Sequence, residues 1–192
     1  NFEIYKFDSV TSTNDMAIEL IENKKKEEGI VYADKQTKGR GTRGKIWISE
    51  KGNFFGTIFF QLRKKYPPFN EFSIINPVII SEVIKNFSKK KICFKWPNDV
   101  FLNKKKVCGI LQETIVSNEK KFLIIGIGIN LVSSPNIENH YLATNIFAET
   151  RKKPTTKEII DLLIGSYENF FYNLNEYNFM YFKQKIELMS LK

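Results

Sequence analysis

Four apolar, β-branched runs in the middle of the chain, Ile92 to Lys95, Val100 to Leu102, Val107 to Val116 and Lys121 to Ile129, are divided only by short turn signals. Those signals are Pro97-Asn98-Asp99, Asn103-Lys104-Lys105 and Ser117-Asn118-Glu119. Links this short join strands that run in opposite directions, because a parallel return needs a crossover of about a dozen residues or more. Three or four consecutive antiparallel strands are therefore expected here, and the rest of the chain has to cover them.

Before this stretch, alternating Phe2, Ile4 and Phe7 predict a first strand, and Ser12-Thr13-Asn14-Asp15 offers helix caps ahead of Met16, Ala17, Leu20 and Ile21. Gly29 to Ala33 reads as a second strand and Asn53 to Leu62 as a third, closed off by Pro67-Pro68. A helix is expected from about Glu71 to Phe87, with Pro77 near its first turn. Further on, Thr155-Thr156-Lys157-Glu158 is a capping box, and Ile159, Ile160, Leu163, Tyr167, Phe170, Phe171 and Leu174 follow at helical spacing. The C-terminal third is predicted helical through Glu187-Leu188-Met189, its aromatic stripe serving as core. The sum is a single α+β domain over residues 1–192, a mixed, largely antiparallel sheet covered by helices.

Composition narrows the classes. With 192 residues, 42% of them hydrophobic and 14% aromatic, the chain can bury one substantial core. It has no signal-peptide pattern near its start and no run of the ~20 apolar residues that a membrane span requires, so a soluble cytoplasmic protein is expected. Cys93 and Cys108 lack metal-site spacing and read as reduced structural thiols, with no disulfide and no protein metal site predicted. The net charge of +9 raises nucleic acid as a partner. The lysines, however, lie in scattered short clusters, and a Lys-, Asn-, Ile- and Phe-rich composition also follows from an A·T-rich genome; an acidic partner protein fits the same charge.

The segment with most chemistry is Gly39-Arg40-Gly41-Thr42-Arg43-Gly44-Lys45, which combines small residues, open backbone N–H groups and fixed positive charge in a form suited to a phosphate or carboxylate. It fits G-x-G-x-x-G and also a Walker loop that lacks its hydroxyl, since Ile46 stands where Ser or Thr would hold Mg²⁺. Both patterns require a helix after the loop. Here Trp47-Ile48-Ser49, a turn at Glu50 to Asn53 and a strand follow, so neither reading is favoured.

Five blocks in order, Ser12-Thr13-Asn14, Gln36 through Trp47, Lys95-Trp96-Pro97-Asn98-Asp99, Lys106-Val107-Cys108-Gly109-Ile110-Leu111 and Gly126-Ile127-Gly128-Ile129-Asn130, resemble the catalytic domain of the biotin protein ligases. The resemblance covers nearly the whole chain. It implies a class II synthetase-like, biotin–lipoate ligase fold and a two-step reaction: biotin and MgATP give biotinoyl-5′-AMP, whose acyl group passes to a lysine of a biotin carboxyl carrier protein. Negative charge that builds on the α-phosphoryl oxygens and the departing pyrophosphate is then met by Arg40, Arg43, Lys45 and Lys106.

By the same resemblance Ser12, Thr13 and Gln36 hold the biotin head group, Asn14 is a further ligand-binding residue, and Gly39, Arg40, Gly41, Thr42 and Arg43 wrap the bound ligand. Gly109 edges the biotin pocket and Trp47 stacks on adenine, while Asn130 reaches the ribose or phosphate region. Lys106 bridges carboxylate and α-phosphate; Asp99, beside Asn98, orients or deprotonates the acceptor lysine. Each has a plainer alternative: Ser12 and Thr13 as helix caps, Asn98 and Asp99 as turn residues, Trp47 as core, and Lys104 to Lys106 as a solvated hairpin tip.

Many members of the family carry Arg or Lys where this chain has Thr42, which implies a leakier adenylate. Neither an N-terminal winged helix nor a small C-terminal β-barrel domain is expected, so DNA binding is not, and a monomer or homodimer is. Rival readings are a lipoate or octanoate protein ligase of the same fold, a basic nucleic-acid-binding module, and an inactive homologue. His140, the only histidine, is expected in a loop without a catalytic role.

Overall fold

The computed structural model describes residues 2–135 and 142–191; His140 lies outside them. The elements in order are β1 (Glu3–Val10), α1 (Thr13–Lys24), β2 (Glu28–Gln36), β3 (Phe54–Gln61), α2 (Phe72–Lys85), β4 (Ile92–Lys95), β5 (Asp99–Leu102), β6 (Lys105–Ser117), β7 (Lys120–Ile129), α3 (Ile146–Thr150), α4 (Thr156–Tyr172) and α5 (Phe179–Met189). The strands form one seven-stranded sheet in the order β1-β2-β3-β7-β6-β5-β4. Only β1 and β2 are parallel, joined by the crossover helix α1; every other pair is antiparallel. The four expected meander strands are β4 to β7.

Period-two alternation sorts the side chains of this sheet between two layers. Ile30, Ile58, Phe60, Leu123, Ile125 and Ile127 face the large core beneath α2, α4 and α5, with Phe72, Ile80, Leu163 and Tyr167 packed on them. Val31, Phe59, Phe122 and Ile124 face the other way, under Ala17, Leu20 and Ile21 of α1. Because α1 is short, it covers only part of its face. The remainder carries small and polar residues, and the loop between β2 and β3 folds over them.

The helix ends follow their predicted chemistry. Ser12 caps α1, its hydroxyl accepting from the Asp15 N–H at 3.5 Å. Thr155 and Glu158 close a reciprocal capping box on α4. Pro77 departs from expectation: it is the sixth residue of α2, one turn further in than the first turn. There it removes one backbone donor from the helix interior, and its neighbour Asn76 is wholly buried, bonded to Gln112 and Tyr167.

Candidate active site

Gly109 on β6 and Gly128 on β7 are cross-strand partners on the face that α1 leaves open, with Gly126 beside them. The missing side chains make a trough, and the Trp47 indole lies in it. A methyl group on Gly109 would stand 2.6 Å from the ring and one on Gly128 only 2.4 Å, so no other residue permits this approach. The loop that brings Trp47 there is pinned by its own backbone: Trp47 N–H donates to the Gly39 carbonyl at 2.9 Å and Gly41 N–H to the Lys45 carbonyl at 2.7 Å. Between them Arg43 (φ 55°) and Gly44 (φ 73°) take left-handed conformations that turn the chain back. Trp47 Nε1 is buried with no hydrogen-bond partner among the described residues.

At one end of the trough sits a connected polar cluster. Gln36 Oε1 accepts from the Thr13 N–H at 2.9 Å and the Thr13 hydroxyl at 3.1 Å, and Gln36 Nε2 donates to Ser49 Oγ at 3.0 Å. The Thr57 hydroxyl, fully buried on β3, donates to Asn14 Oδ1 at 2.6 Å and lies 2.8 Å from the Thr13 hydroxyl. Asn14 packs over Gly126, where a methyl group would lie 2.4 Å from Oδ1, and its Nδ2 donates to Glu113 at 2.8 Å. Ser12 acts as the helix cap already described, while Thr13, Asn14 and Gln36 converge on one spot.

Arg40 does not reach into open space. Its two terminal nitrogens donate to the two oxygens of Glu113, each at 2.8 Å, and Nη2 also meets Asp15 at 2.7 Å. These contacts raise its already high pKa further, the Glu113 hydrogen bonds most of all. Arg40 thus ties the loop to α1 and β6. Arg43 and Lys45 are exposed on the same loop, and Thr42 is half-buried at the turn.

Lys106 reaches the trough from its other side. Its Nζ lies 2.8 Å from Asp99 Oδ1 and 5.5 Å from the Trp47 ring, and Asn98 Nδ2 donates to the same Asp99 oxygen at 3.2 Å. A bulge places it there. Val100 opposes Cys108 but Phe101 opposes Lys106, so Val107 is an extra residue that breaks the alternation of β6. Without it Lys105 would share the Gly109 face; with it Lys106 does, and Lys105 turns the other way to meet Glu149 at 3.3 Å. Of the three lysines only Lys104 stands at the hairpin tip, with φ 62°.

Asn130, just past β7, donates from Nδ2 to the Thr144 carbonyl at 3.0 Å, while its Oδ1 is buried without a partner among the described residues. Cys108 is fully buried beneath the trough, and burial pushes its thiol pKa up, so it is inert. Among the described residues no three His, Cys, Asp or Glu side chains come together to hold a metal ion. A ligand with a polar head, an apolar body and an anionic tail fits this order of groups.

The sequence profile of the biotin/lipoate A/B protein ligase family matches residues 6–130, from within β1 to Asn130. The chain belongs to that family. The bifunctional ligase/repressor BirA of Bacillus subtilis is 35% identical over 133 residues, 67% of this chain and 40% of BirA. The biotin–[acetyl-CoA-carboxylase] ligase of Paracoccus denitrificans is 29% identical over 156 residues, 78% of this chain and 65% of the relative. The chain thus spans about two fifths of the length of that BirA. Among solved structures, a biotin protein ligase from Aquifex aeolicus in complex with biotin and ATP superposes with a TM-score of 0.81 at 31% identity, covering 98% of this chain and 78% of that one. The Leishmania major biotin protein ligase in complex with biotinyl-5-AMP shares the fold, with a TM-score of 0.83 at 24% identity.

In this biotin/lipoate ligase domain several site groups escape sequence reading. Thr57 lies mid-strand among phenylalanines, and its only signal is a hydroxyl at a fully buried position. Glu113 and Asp15 become visible only when the fold brings β6, α1 and the loop together. Ser49 holds the amide of Gln36 from a loop position with no motif of its own.

Proposed function

We propose that the chain activates biotin with MgATP as biotinoyl-5′-AMP and transfers the biotinoyl group to a lysine of a biotin carboxyl carrier protein. The observation that carries this reading is Lys106, paired with Asp99 and leaning on Trp47, at one end of a glycine trough whose other end is the Thr13–Gln36–Thr57–Asn14 cluster. Those side chains offer both donors and acceptors, which suits a cyclic urea with two N–H groups and one carbonyl. Gly109 and Gly128 seat the Trp47 indole on bare backbone, from which it offers the adenine a face to stack on, and Gly109 edges the biotin pocket.

In the first step a carboxylate oxygen of biotin bonds to the α-phosphorus of ATP and pyrophosphate leaves. Lys106 meets the charge that grows on the phosphoryl oxygens, and Arg43 and Lys45 supply further cationic charge from the loop. Mg²⁺ would enter with the nucleotide and would supply charge neutralisation at the departing pyrophosphate. Asn130, with its spare amide oxygen, accepts a hydrogen bond from the nucleotide. Arg40 contributes by keeping the loop closed through Glu113 and Asp15, with its charge directed at those carboxylates.

In the second step the acceptor amine attacks the acyl carbon, AMP leaves with the bonding electrons, and the amine proton passes to Asp99. Exposed Ile46, Ile48 and Trp96 on the two site-bearing loops form an apolar rim that a carrier domain can cover. No helix among the described residues is long and apolar enough to cross a membrane. Cys93 and Cys108 are free and buried, which fits action in a reducing cytoplasm, as one copy or two. Single-turnover transfer from preformed adenylate to a purified carrier domain tests the second step: Asp99→Ala should slow it strongly, and transfer at the wild-type rate would remove Asp99 from the mechanism.

A further inference from the structure

Glu149 on α3 lies outside the trough, yet a chain of contacts leads from it to two groups of the site. Its side chain is 5% exposed and accepts from four donors: Lys90 Nζ at 2.9 Å, Asn103 Nδ2 at 3.1 Å, Lys105 Nζ at 3.3 Å and the Thr144 hydroxyl at 2.9 Å. Burial alone would raise its pKa, but hydrogen bonds from these four partners carry it down to about 2. The carboxylate is therefore a fixed charge with its lone pairs satisfied.

Thr144 is where this anchor meets the site. Its N–H donates to the Lys106 carbonyl at 2.8 Å and its carbonyl accepts from Asn130 Nδ2 at 3.0 Å. Two residues earlier, the Leu142 carbonyl accepts from the Lys106 N–H at 2.8 Å, so residues 142 to 144 run as a short parallel bridge along Lys106. The bridge runs along the edge of β6 opposite β5, where β7 has ended at Ile129, the partner of Cys108. Lys106 thus takes both of its backbone hydrogen bonds from a segment whose Thr144 hydroxyl is anchored on Glu149. Lys105, the residue next to Lys106, is held by the same carboxylate.

We infer that Glu149 is a positioning residue, holding Lys106 and Asn130 in one frame through Thr144. The inference rests on the ligase reading for its consequence on catalysis, and on geometry alone for the frame itself. Loss of the anchor frees the 142–144 segment, and displacement of a reacting group by about 1 Å costs on the order of 100-fold in rate.

The experiment compares wild type with Glu149→Ala, Thr144→Val and Thr144→Ser, and with Lys106→Ala alone and combined with Glu149→Ala. Amide hydrogen exchange at Lys106 and Thr144 is read on each protein, and the kcat and KM for ATP are read from biotin-dependent pyrophosphate release. Glu149→Ala and Thr144→Val should speed exchange at those two amides and lower kcat by about tenfold or more, whereas Thr144→Ser, which keeps the hydroxyl, restores kcat to within about threefold of wild type. In the Lys106→Ala background Glu149→Ala should cost at least about threefold less than it does in wild type, since of the two groups it positions only Asn130 remains. Unchanged exchange at Lys106 and Thr144 overturns the inference, as does an equal loss of kcat in both backgrounds. A wild-type protein that forms no adenylate overturns the ligase reading, and the exchange data still decide the frame.

Discussion

Replacing Glu113 by Gln should loosen the glycine loop without unfolding the domain. The carboxylate accepts three hydrogen bonds, two from Arg40 and one from Asn14, each at 2.8 Å. A glutamine in the same place keeps one acceptor oxygen and presents an N–H pair where the other stood, so at least one charge-assisted bond is lost. Such a bond contributes about 1.5–3 kcal/mol. The Arg40 and Glu113 side chains are 36% and 28% exposed, and Asp15 still holds Nη2 at 2.7 Å, which brings the loss to about 1–2 kcal/mol. The open population of the loop then rises about 5- to 30-fold. Trypsin under native conditions reads this directly, because Arg43 and Lys45 are exposed on the loop and cleavage follows the open population when reclosing is faster than cutting. Cleavage after Arg43 or Lys45 should accelerate by that factor while cleavage after Lys183 in α5 stays constant. A rate at the loop unchanged within about twofold would show that Arg40 and Glu113 do not hold it.

Three further outcomes are expected. Gly128→Ala places a methyl group 2.4 Å from Trp47, so the indole must leave the trough; stability should fall by about 1–3 kcal/mol in a urea melt. Emission should shift to the red, and since Trp96 is already 62% exposed the shift reports Trp47; an unshifted spectrum would contradict the packing. Lys106→Ala should cost adenylation about 100-fold or more while Lys104→Ala, at the hairpin tip, stays within about twofold; equal losses in pyrophosphate release would sink the distinction that the bulge makes. Four donors hold the folded Glu149 carboxyl at about 2, below the 4.5 of an ordinary glutamate, so its contribution to stability is present above the unfolded value and is lost as pH falls from about 4.5 toward 2. Glu149→Gln should therefore flatten the acid limb of stability between pH 5 and 2 in acid titration of unfolding; identical limbs would refute the pKa.

Much of the fold is legible because period and punctuation agree. Turn residues between β4, β5, β6 and β7 leave no alternative to a meander, and the capping box at Thr155 marks α4 to the residue. The parallel pairing of β1 with β2 is not legible locally, since it depends on α1 crossing over the sheet. Site residues divide the same way. Lys106, Gly109, Asp99 and Gln36 stand in motifs, but apart from the family resemblance the three lysines at 104–106 look alike in sequence, and it is the Val107 bulge that sorts them physically. Arg40 reads from sequence as a phosphate ligand, whereas its partners Glu113 and Asp15 lie 73 and 25 positions away and emerge only when strand register is known. Glu149 carries no motif, and its importance comes from four donors that meet in space.

The most direct test of the account is mass-spectrometric detection of an acyl-adenylate after incubating the protein with MgATP and either biotin or lipoate, with no acceptor present. Biotinoyl-AMP from biotin, and no lipoyl-AMP, is the predicted result. Lipoyl-AMP, or no adenylate from either acid, would contradict it.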